Sequence, residues 1–158
     1  MSLRPVALPF AVPGTLWLAA MPGRFGPWAA FETQARRARL ALVVCLTPTQ
    51  EVAQLSPQYN AAIVQGTLPF RWVHLPMPNF GVPDDAPAFR ADIGRVADAL
   101  RNGDAVLLHC AAGLGRTGTA AACVLKALGL EVEDAMAQVR AAGSNPQNAR
   151  QSGLIDWF

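Results

Sequence analysis

A chain of 158 residues, 52% hydrophobic and 15% charged, fits one domain over residues 1–158 with a sizeable core, and excludes a disordered tail. Its 13 Gly and 13 Pro follow no period, which excludes collagen-like and low-complexity repeats. The formal charge is +2, and every cation except Lys126 is an arginine; the one close group, Arg36, Arg37 and Arg39, reads as the solvated face of a helix, so no nucleic-acid partner is expected. Cys45, Cys110 and Cys123 are odd in number and form no C-x-x-C pair, which points away from a disulfide scaffold or zinc ribbon and towards a reducing, cytoplasmic compartment. The apolar stretch 5–21 behind Arg4 imitates a secretory signal, but Pro5, Pro9, Pro13 and Gly14 interrupt it. No other apolar run approaches the ~18 to 20 residues that span a bilayer, so no membrane association is expected.

In chain order, residues 16–19 predict a short strand and 28–39 a helix opened by Pro27. The continuous apolar run 40–46 predicts a buried central strand ended by Thr47-Pro48. Short helices follow over 49–55 and 58–65, then a strand over 71–75. Five prolines and glycines make 76–87 a loop. Over 87–102 the apolar residues Phe89, Ile93, Val96, Ala97 and Leu100 recur at helical spacing up to Gly103. A buried strand over 105–108, a Gly-rich turn, a helix over 116–128, a helix marked by Val132, Ala135, Met136 and Val139, and a last helix within 146–158 complete the chain. Strands alternating with helices give an α/β fold with a central, mostly parallel sheet flanked by helices.

The informative stretch is V-L-L-H-C-A-A-G-L-G-R-T-G-T, residues 106–119, in which an apolar strand runs into a tight turn and then a helix. Backbone amides of such a turn converge, and the helix N-terminus adds about half a positive charge, so an anion belongs there. Ala111, Ala112, Gly113, Leu114 and Gly115 supply that phosphate-binding turn, with Cys110 inside it. A thiol at a helix N-terminus beside an arginine is expected as the thiolate, hence a nucleophile. Arg116 offers a planar fork that grips two oxygens of a phosphate at once. Thiolate plus fork points to phosphoryl transfer.

His109, Cys110, five residues, Arg116 and Thr117 resemble the signature of the cysteine-dependent protein tyrosine phosphatases. L-A-A-M-P-G-R at 18–24, V-V-C-L-T-P-T-Q-E at 43–51, P-N-F-G-V-P-D at 78–84 and P-Q-N-A-R-Q at 146–151 extend the likeness to the small dual-specificity members, of the kinase-associated phosphatase type. The resemblance implies a phosphotyrosine protein phosphatase-like fold and an enzyme that needs no metal or cofactor. It implies Cys110 as nucleophile, Arg116 and the loop amides as holders of the phosphate, and Thr117 as the hydroxyl that stabilises the leaving thiolate. His109 would orient the loop or serve as a satisfied core histidine. Gln147 and Gln151 would place the attacking water, or form a capping device. The implied partners are phosphotyrosine or phosphoserine/threonine proteins, since Ala111, Ala112 and Leu114 are neutral where phosphoinositide-directed relatives carry lysines.

The family takes the leaving group's proton from an aspartate about thirty residues before the cysteine, and here that position is Asn79. An amide delivers no proton. Asp84 and Asp85 are the nearby carboxylates, and they read either as replacement acids or as caps of the helix near Pro87. Two functions therefore remain in view: an active phosphatase, and a phosphate-binding or substrate-trapping form with impaired turnover. Cys45 and Cys123 read as inert core thiols, and Trp72 as core.

Overall fold

The computed structural model describes residues 2–158 and has the expected α/β class, a five-stranded mixed sheet flanked by seven helices. The elements are β1 (Arg4–Val6), β2 (Thr15–Ala19), α1 (Trp28–Arg37), β3 (Leu40–Cys45), α2 (Thr49–Leu55), α3 (Pro57–Gln65), β4 (Arg71–His74), α4 (Ala86–Arg101), β5 (Ala105–His109), α5 (Gly115–Ala127), α6 (Val132–Ala141) and α7 (Ala149–Trp157). The sheet order is β1-β2-β5-β3-β4; only the β1–β2 pair is antiparallel.

The period-2 alternation of the strands explains why helices cover both faces. Leu16, Leu18, Leu42, Val44, Val106 and Leu108 point to one side, where α4, α5, α6 and α7 close the main core around Ile93, Leu100, Val124 and Leu125. Ala19, Val43 and Leu107 point to the other, where α1 covers them with Phe31 and Ala35. Cys45 continues that face beneath Val52 of α2 and Tyr59 of α3. Helix α5 is buried from Gly115 through Leu125, as suits a helix enclosed by β5, α4, α6 and α7.

Several boundaries differ from the sequence reading. The strand β1 lies in the proline-broken segment that the sequence left without structure; it pairs Arg4 with Leu18 and Val6 with Leu16 at the sheet edge, where Pro5 is tolerated. Helix α1 stops at Arg37, and Arg39 lies beyond it in the left-handed region at φ 54°. Arg36, Arg37 and Arg39 are all exposed, as expected of a solvated face. Helix α7 starts at Ala149, because the Asn148 side chain accepts the Gln151 N–H at 3.0 Å and caps it there. Among the described residues, no helix is long and apolar enough to cross a membrane.

Candidate active site

Strand β5 delivers Cys110 to the C-terminal edge of the sheet, and the turn 111–114 wraps back into α5. Gly113 allows the turn: its φ is +75°, and a Cβ there would lie 2.5 Å from the backbone of Ala19 and Ala20 at the end of β2. The Cys110 sulfur accepts from the Gly113 N–H at 3.2 Å and from the Thr117 hydroxyl at 3.0 Å. Both donors point their hydrogens at the sulfur.

Arg116 is 3% exposed. Its Nη1 donates to Glu51 Oε2 at 2.8 Å and to the Met77 carbonyl at 3.0 Å, and its Nη2 donates to Glu51 Oε1 at 3.3 Å. A guanidinium has five N–H donors. Glu51 and Met77 thus hold one edge, leaving Nε–H and the second Nη2–H side by side on the other as the fork for two phosphate oxygens. Glu51 was not singled out from the sequence; a carboxylate one turn into α2 carries no local mark of its partner 65 positions away.

His109 is fully enclosed. The Cys110 carbonyl, 3.3 Å from Nδ1, can only accept, and Tyr59 Oη, which accepts from Trp72 Nε1 at 2.8 Å, lies 2.7 Å from Nε2. Nε2 is therefore an acceptor, and Nδ1 carries the hydrogen, facing the Cys110 carbonyl at 3.3 Å. Burial pulls the imidazole down from 6.5 to about 3, which keeps it neutral. It bonds the Cys110 backbone and is a satisfied core histidine. Trp72 contributes through its indole N–H. Burial pushes Cys45 up to about 11 and Cys123 up to about 12, in line with inert core thiols. His74, for which the sequence shows no partner, meets the Thr47 carbonyl through Nε2 at 2.7 Å and stacks on Trp72.

A cavity of about 380 Å³ opens over the loop, lined by Cys110, Ala111, Ala112, Gly115 and Arg116 together with Arg24, Glu51, Gln54, Leu55, Asn79, Phe80 and Gln147. Asn79 thus stands at the wall of the cavity that holds the sulfur. Phe80 beside it has φ 58°. Asn148 Nδ2 donates to the Phe80 carbonyl at 2.6 Å and Gln151 Nε2 to the Gly81 carbonyl at 3.2 Å, so the start of α7 latches this loop in that conformation. Gln151 is fully buried, with Oε1 accepting the Gln147 N–H at 2.8 Å. Both of its polar ends are engaged away from the cavity, so of the two glutamines only Gln147 lines it. Arg24, also missed from the sequence, donates to the Ala111 carbonyl at 2.8 Å.

Asp84 is not brought to the sulfur. It lines a separate cavity of about 220 Å³ with His74, Asp85 and Asp92. The reason is local: Asp85 Oδ1 accepts the Ala88 N–H at 3.0 Å and caps α4, which fixes residues 84–85 to the start of that helix. Of the readings left open for this pair, the cap is the one the geometry carries for Asp85.

Residues 27–152 match a family model described as PTP-SAK, Swiss Army Knife protein, DSP-PTPase phosphatase domain. The chain belongs to this family. Its DSP-PTPase fold recurs in kinase-associated phosphatase with the catalytic-site cysteine replaced by serine, at 19% identity and TM-score 0.83 over 98% of this chain and 92% of that one. It recurs in Tk-PTP in the active form, at 22% identity and TM-score 0.70 over 91% and 90%. A third match is the human tyrosine phosphatase-like serine/threonine/tyrosine-interacting protein, at 19% identity and TM-score 0.70 over 99% and 94%. The expected small dual-specificity type is thereby met by both family and fold.

Proposed function

We propose that this DSP-PTPase domain hydrolyses phosphate monoesters on proteins, with tyrosine or dual specificity, through a covalent intermediate on Cys110. The observation that carries this reading is the sulfur held by two donors at the floor of an arginine-walled cavity, at the N-terminus of the buried helix α5.

The Cys110 sulfur attacks phosphorus in line, a P–S bond forms, and the bond to the leaving oxygen breaks. Arg116 and the loop amides bind the equatorial oxygens as charge develops on them. Water placed beside Gln147 then attacks phosphorus; inorganic phosphate leaves and Cys110 regains its electron pair, with Thr117 donating to it. A phosphoprotein fits a site whose loop side chains, Ala111, Ala112 and Leu114, are uncharged.

Asn79 bears on the rate. Protonation of the leaving oxygen is worth about 10² to 10⁴ in general acid catalysis, and the cavity wall presents an amide at this point. The domain therefore retains turnover on aryl phosphates, whose leaving groups need little help, and turns over alkyl phosphates poorly. A second reading, capture of phosphoprotein with little turnover, rests on the same residue. Phosphate release from an activated aryl phosphate near pH 6, with Cys110→Ser as control, separates them. Release by the wild type alone supports the hydrolase; equal release by both refutes it.

A further inference from the structure

Arg4 lies on β1, in the segment whose sequence imitates a signal peptide, yet its guanidinium is wedged behind the phosphate loop. Nη2 donates to the Gly113 carbonyl at 2.5 Å. Nη1 donates to the Ala142 carbonyl at 2.7 Å and to Ser144 Oγ at 3.0 Å. The Ser144 hydroxyl donates in turn to the same Gly113 carbonyl at 2.7 Å. The turn after α6 is shaped to admit this side chain: Gly143 has φ +90°, and a Cβ there would stand 2.9 Å from Arg4 Nη1.

The consequence follows from peptide geometry. In a trans peptide the C=O and the next N–H point in opposite directions, and the described residues have no cis bonds. Holding the Gly113 carbonyl outward against Arg4 therefore turns the Leu114 N–H inward, towards the anion cup. Arg24 does the same for an earlier amide of the loop: it fixes the Ala111 carbonyl and so directs the Ala112 N–H. Arg4 differs in being tied at once to the loop and to the turn after α6.

Resting on the phosphatase reading, we propose that Arg4 is a positioning residue for oxyanion binding, which aims the Leu114 amide at the substrate phosphate and sets a fixed positive charge behind Cys110. Burial lowers its guanidinium from the ordinary value, and the neighbouring Cys110 sulfur opposes that lowering. The planar fork spans the loop carbonyl with Nη2 and the turn after α6 with Nη1; an ammonium at the same place keeps the charge and loses one of the arms.

The experiment compares wild type, Arg4→Gln and Arg4→Lys for tungstate affinity by calorimetry, for kcat and KM on an aryl phosphate, and for thermal stability. Arg4→Gln is expected to weaken tungstate binding about tenfold and to lower kcat/KM by a similar factor, the loss of one charge-assisted contact to the loop. Arg4→Lys is expected to melt nearer to the wild type yet to recover less than half of the lost tungstate affinity on a logarithmic scale. Wild-type tungstate affinity in both variants overturns the proposal, whatever their melting points, because Arg4 is then only a strut. Should Arg4→Gln fail to fold, Arg4→Lys carries the test by itself: tungstate affinity equal to wild type overturns it, and a several-fold loss supports it. If wild type and Cys110→Ser release phosphate equally, the hydrolase reading fails, and the dependence of tungstate binding on Arg4 still decides this one.

Discussion

Acidification must cost this fold stability through His109. Its folded value of about 3 lies below the ordinary 6.5 because burial penalises the imidazolium, and the Tyr59 hydroxyl already donates to the nitrogen that would take the proton. Between those two values the unfolded chain binds a proton that the native chain refuses. The stability linked to His109 is thus complete above about pH 6.5 and drains away as the pH falls towards 3, at about 1.4 kcal/mol per pH unit. From pH 7 to pH 5 the loss is about 2 kcal/mol, once the partial protonation of the unfolded imidazole at each end is counted. Urea unfolding at pH 7, 6 and 5 measures it, with His109→Asn as reference. The asparagine retains an acceptor for Tyr59 and a donor for the Cys110 carbonyl but does not titrate. Carboxylates shared by the two proteins cancel, so the stability advantage of the wild type should shrink by about 2 kcal/mol across that range. Parallel stability curves would refute the neutral, proton-refusing imidazole and with it the derived tautomer.

Three further outcomes are expected. Asn79→Asp should raise kcat on alkyl phosphates by about 10² to 10⁴ and change aryl phosphate turnover far less; a uniform effect on both, read by steady-state kinetics, would mean that Asn79 is not at the acid position. Glu51→Gln weakens the clamp on a nearly buried guanidinium and should cost about 1 to 3 kcal/mol in chemical denaturation, with at least a tenfold fall in kcat/KM as the fork loses its orientation. Gly113→Ala places a methyl against the end of β2 at a positive φ, so it should lose about 1 to 3 kcal/mol in thermal unfolding and abolish tungstate binding; retained binding would show that the loop tolerates another path.

The sequence made the local features legible. The run 40–46 and the segment 105–108 are too apolar for any place but the middle of a covered sheet, and both became central strands. The candidate loop was readable because the proposed chemistry is contiguous: thiol, amides, hydroxyl and fork lie within eight residues. What stayed hidden depends on contacts between distant positions. Nothing near Glu51 marks it as the partner of Arg116, nothing near Tyr59 marks it as the donor to His109, and Arg4 looked like the charged flank of an apolar leader. Asp84 misled for the opposite reason. Its nearness to Asn79 and the cap on α4 were both readable in the chain, and the choice between them is a matter of three-dimensional path, in which Asp85 caps the helix and Asp84 lines another cavity. Gln151 likewise has the spacing of a water-positioning residue and the geometry of a latch on Gly81.

The central place of β5 has a consequence for how the molecule is made. β2 and β3 have no ladder between them until β5 slides in from more than two thirds of the way along the chain. Such long-separation pairing is entropically expensive and slow to nucleate. A growing polypeptide therefore emerges with two apolar ribbons and no seam to join them. The act that zips the halves together is the same one that sets the sulfur in its socket, so reactivity arrives only with the finished architecture.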